Sequence, residues 1–117
     1  MASGLSREGT AEVLAWLNRA PAVLRAAAAA GVTVLAGTDA GMGPHGTIAG
    51  EVELLVRAGL STEAALAAAS WEARRYLGVP GIADGAPADL VGYDEDPRRD
   101  SEALTEPVLI VLMGVPI

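Results

Sequence analysis

The residues best placed to do chemistry fall in one stretch, Gly37-Thr38-Asp39-Ala40-Gly41-Met42-Gly43-Pro44-His45-Gly46. A carboxylate such as Asp39 can ligate a metal, accept a proton, or hydrogen-bond its own loop as an Asx turn. His45, six residues further on, is the only histidine. It adds one more possible ligand, or is simply a surface or turn residue of the loop. Two donors fall short of the three protein ligands that a catalytic zinc usually takes. Cysteine is absent, which excludes disulfides and thiolate metal sites.

Other charged residues read as structural. Glu51 and Glu53 are two apart on the next predicted helix, on different faces, as solvated groups. Asp84 and Asp89 fall in a Gly/Pro-rich turn and at a strand start, where turn bonding or capping suits a carboxylate. Arg74-Arg75 and Arg98-Arg99 are the only basic pairs, and both read as solvated surface.

Gly41 to Gly46 also matches the G-x-G-x-x-G pattern of dinucleotide sites. The mechanism of that pattern fits poorly. Its first glycine should follow a strand directly, whereas Gly37-Thr38-Asp39-Ala40 intervenes. Asp39 would also set a negative charge near a pyrophosphate. About twenty residues on, where an acid should end a second strand, the sequence is an Ala-rich helix. A nucleotide-binding α/β piece and a non-catalytic helical interaction module stand as the alternative readings.

The elements that must position Asp39 follow from apolar periodicity. Thr10 to Ala30 is helical in character, with Val13, Leu14 and Leu17 on one side and Trp16 adding bulk. Pro21 suits a first helical position and predicts a restart there, and Gly31 fits the residue just past a helix end. Val32-Thr33-Val34-Leu35-Ala36 then reads as a strand apolar on both faces, as in a parallel sheet covered by helices. Asp39 falls just after it, where active sites of α/β sheets and barrels gather. Helical spacing returns from Thr47 to Ala58, ended by Gly59. Ser61 and Ser70 are predicted caps of two further helices, the second ending near Leu77-Gly78. Asp89 to Tyr93 and Val108 to Met113 read as strands on either side of a charged turn, Asp94 to Asp100. A single parallel strand cannot make a sheet, so its partners are expected elsewhere.

Composition narrows the setting. The 117 residues allow one modest core. Apolar residues make up 51% and the mean hydropathy is +0.36, yet no run nears the ~18 apolar residues of a membrane span. Those apolar faces predict an oligomer. The net charge of −7 opposes nucleic-acid backbones and anionic membranes. Met1-Ala2-Ser3-Gly4 lacks the basic and apolar regions of a signal peptide, so a cytoplasmic location is the default expectation.

The pieces, in order, resemble the C-terminal part of the metal-dependent amidohydrolase superfamily, in the branch of imidazolonepropionase-like enzymes and Xaa-Pro dipeptidases. The resemblance rests on Ala30 to Gly41, Pro44-His45-Gly46, Glu53 to Ser61, Glu63 to Leu66, Gly81 to Gly85, Ala88 to Val91 and Asp96-Pro97. It implies an α/β fold, the end of a TIM-like barrel in residues 1–80 with its last strand at Val32 to Gly37. Residues 81–117 would supply strands of a small β-sandwich, and the whole would be incomplete on its own. It implies that Asp39 binds a divalent metal, zinc first, and takes a proton from the attacking water. His45 and Gly46 would lie near a small-molecule amide substrate, and the reaction would be hydrolysis of C–N bonds in amides or cyclic amides. The family's paired histidines, mid-barrel lysine and two later histidines have no counterpart here. The isolated chain is therefore expected to hold no metal and to be inert.

Overall fold

The computed structural model describes residues 7–117. The start Met1-Ala2-Ser3-Gly4 lies outside them. The order is α1 (Arg7–Ala29), α2 (Ile48–Arg57), α3 (Thr62–Ala69), α4 (Trp71–Leu77), β1 (Leu90–Gly92), a 3-10 turn (Ser101–Thr105), β2 (Leu109–Leu112) and β3 (Val115–Pro116). The fold is mixed α/β, with helices leading into a three-stranded antiparallel sheet of order β1-β2-β3. The chain divides into two units, one ending at Val34 and the other spanning Leu35–Ile117. Among the described residues no helix is long and apolar enough to cross a membrane.

In the first unit α1 runs unbroken through Pro21, so the predicted restart there is wrong. A proline cannot donate to the carbonyl four residues back, here that of Leu17. Leu17 is exposed, so water can take the donor's place. The predicted end is as expected. The Gly31 N–H donates to the Ala28 carbonyl and the Val32 N–H to the Ala27 carbonyl, the paired bonds of a Schellman motif. Gly31 takes φ +78°, a conformation that costs a glycine nothing. None of the α1 side chains is buried, and Trp16 stands 66% exposed.

In the second unit the core is made by α2 and α3. Val52 and Leu55 are one turn apart on α2, and Ala65 and Ala68 repeat that spacing on α3. With Ala67 they are the buried apolar side chains among the described residues. Small methyl groups let α3 come close to its neighbours but remove little apolar area from water. The Ser61 hydroxyl accepts the Ala64 N–H at 3.1 Å and caps α3 as predicted. Ser70 makes no such bond to α4; its backbone, at φ −138° and ψ −99°, instead closes α3 through its N–H to Ala67.

The sheet pairs Leu90 with Val111, Val91 with Ile110 and Gly92 with Leu109. A Cβ at Gly92 would stand 3.2 Å from the Leu109 Cβ, which favours glycine at this crossing. The predicted last strand, Val108 to Met113, is β2, and a two-residue turn at Met113-Gly114 leads from it into a further strand, β3, that the sequence reading did not include. Both turn residues have positive φ, +50° and +79°, the requirement of a tight hairpin turn of type I′. The Asp89 carboxylate accepts the Met113 N–H at 2.6 Å, and the Ala88 carbonyl accepts the Gly114 N–H at 3.0 Å.

Arg74 corrects the reading of its pair as solvated surface. Half-buried, its guanidinium donates to the carbonyls of Pro80 (2.8 Å) and Asp89 (2.9 Å), tying α4 to the start of β1. Arg75 stays exposed beside Glu72.

Candidate active site

The segment leading to Asp39 is not a strand in this structure. Residues 32–39 have no regular secondary structure, and the described sheet does not reach them. A parallel strand needs neighbours that give it a ladder, and among the described residues β1 to β3 pair only with one another. A hydrogen bond ties the segment to α3: the Ala36 N–H donates to the carbonyl of buried Ala68 at 2.9 Å.

Three residues later the chain turns sharply. The Asp39 carbonyl accepts the N–H groups of Met42 (3.0 Å) and Gly43 (3.2 Å), and Gly41 donates to Gly43 at 3.2 Å. Asp39 itself takes φ +50°, a left-handed backbone that a side chain makes unfavourable. Asp is among the residues that tolerate it best, at an order of 1 kcal/mol. The turn is held by backbone atoms, which leaves the carboxylate uncommitted. It is exposed and makes no hydrogen bond or ion pair among the described residues.

His45 is exposed as well, in the bend that ends with Gly46 at φ +77°. The Thr47 hydroxyl reaches the Pro44 carbonyl at 3.5 Å, and α2 begins at the next residue. Asp39 and His45 thus share one exposed loop. Among the described residues no group of three or more histidine, aspartate or glutamate side chains can hold a metal ion. The described residues do not make up a complete metal centre, although the free carboxylate of Asp39 suits a single ligand. The aspartate and the loop were legible from the sequence. The left-handed backbone at Asp39 was not, because its glycine neighbours are the residues that usually announce one.

One concavity lies away from this loop. An open cleft of about 1080 Å3 runs between α4 and the sheet, lined by Trp71, Arg74, Leu90, Tyr93 and Ile110 among others. Burial pushes the Tyr93 phenol up from its ordinary value. The cleft includes neither Asp39 nor His45, and its lining is mainly packing groups. The loop therefore remains the better site.

The model of the amidohydrolase family matches residues 18–114. Uncharacterized proteins of Mycobacterium bovis and of two strains of Mycobacterium tuberculosis are each 52% identical over 90 residues, covering 76% of this chain. The match takes in only 24% of each relative's own length. The family match runs through the Asp39 loop, the capped helices and the sheet alike: the chain belongs to the amidohydrolase family.

Proposed function

We propose that this chain is the C-terminal segment of a metal-dependent amidohydrolase that hydrolyses C–N bonds of amides or cyclic amides. Within the family we place it in the branch of imidazolonepropionase-like enzymes and Xaa-Pro dipeptidases. One observation carries the reading: Asp39 is held in a left-handed turn by its own carbonyl, with its carboxylate free at the loop surface. The bland alternative, an Asx turn, would have that carboxylate accept a backbone N–H, and here it accepts none.

In the complete enzyme, residues 32–37 would form the last strand of a TIM-like barrel, and residues from 81 onward would join a small β-sandwich. A divalent metal, zinc first, would lower the pKa of water, with most of its ligands outside this chain. The part of Asp39 is proton handling. Its carboxylate takes a proton from the attacking water and returns it to the amide nitrogen as the C–N bond breaks. The amine leaves, and the acyl carbon keeps the water oxygen as a carboxylic acid. His45 and Gly46, on the same loop, would meet the substrate. The short match to the longer relatives supports this reading, as do the exposed apolar faces of α1 and β2. We also propose a cytoplasmic protein that assembles through those faces. Family membership favours this function over the nucleotide-binding and helical-module readings.

The test mixes this chain with the remaining part of a mycobacterial relative, adds zinc, and assays a linear amide, a cyclic amide and an Xaa-Pro dipeptide. C–N hydrolysis that needs both pieces is the expected result. A formed, zinc-loaded complex that leaves all three substrates intact would overturn the proposal.

A further inference from the structure

We draw no further inference here: the strongest candidate, the open cleft of about 1080 Å3 between α4 and the β1–β2 face, carries nothing because nothing in the structure shows what covers it.

Discussion

The Ala36 N–H donates to the Ala68 carbonyl at 2.9 Å, so the chain that leads to Asp39 hangs from the buried end of α3. Ala68 is 1% exposed, so a larger side chain there is expected to press on its neighbours. Overpacking of this kind typically costs about 1–3 kcal/mol. Ala68→Leu is expected to push residues 35–38 away and strip the Ala36 amide of its protection. Hydrogen exchange reads this directly, because local openings report local free energies. Undiminished protection at Ala36 in the variant would show that the bond is not what holds the segment.

Met113 offers a gain rather than a loss. It sits at φ +50° in the β2–β3 turn and stands 80% exposed, so its side chain gives nothing back for the strain. Asn tolerates this backbone better and is favoured at this position of a type I′ turn. Met113→Asn should stabilise the hairpin by about 0.5–1 kcal/mol, a fraction of the usual cost of a left-handed residue. Slower exchange at the Ile117 amide, which donates to Ile110 across the hairpin, is the readout. Faster exchange there would contradict the strain argument.

Asp96 supplies the pH prediction. Side-chain and backbone hydrogen bonds from Arg98 hold its carboxyl down to about 2. A carboxyl whose folded pKa is depressed adds stability above its unfolded pKa, near 3.9, and loses it as pH falls through 2. The pair is exposed, so its contribution to stability is small. Carboxyl NMR should show Asp96 titrating near 2 in the parent chain and in the ordinary carboxylate range in Arg98→Ala. A midpoint unmoved by that substitution would rule out Arg98 as the cause.

How much of this was legible in sequence depended on how local the determinant was. Ser61, Gly31 and the apolar spacing of α2 act within a turn of themselves, and the structure has them as read. Pro21 misled because its local preference, a helix start, gave way to an exposed helix in which water can serve the carbonyl it leaves bare. Val32 to Ala36 has strand composition but no neighbouring strand among the described residues, and composition alone cannot make a ladder. Arg74 looked like half of a surface pair, yet its partners are carbonyls 6 and 15 residues away, which no local pattern announces. Asp39 was found by its place after an apolar run; its strained backbone became visible only in three dimensions.

The sparse core bears on assembly. The buried apolar side chains of the described residues are one valine, one leucine and three alanines, while Trp16, Leu54 and Ile82 stand in water. Such faces favour association or partial unfolding over a lone compact particle. Light scattering of the isolated chain is expected to show a dimer or larger species, or an expanded monomer. A compact monomer that unfolds cooperatively would count against the exposed faces being contact surfaces.

Asp39 has two separable properties, a backbone in the left-handed region and a carboxylate with no partner, and two substitutions divide them. Asn keeps the shape and tolerates φ +50° but has almost no proton affinity. Glycine takes that backbone freely and removes the side chain, so the turn should hold at least as well as in the parent. If Asp39 is the base, both variants lose roughly 10²–10⁴ in kcat in the reconstituted enzyme, the usual worth of a positioned proton acceptor. A lost metal contact would deepen the fall, so zinc content must be measured alongside. The amides of Met42 and Gly43, which donate to the Asp39 carbonyl, report whether the turn survives. Preserved exchange protection together with lost activity assigns the effect to the carboxylate. Activity within a few-fold of the parent in Asp39→Asn, at full metal loading, would make Asp39 a turn residue and sink the proposed proton transfer.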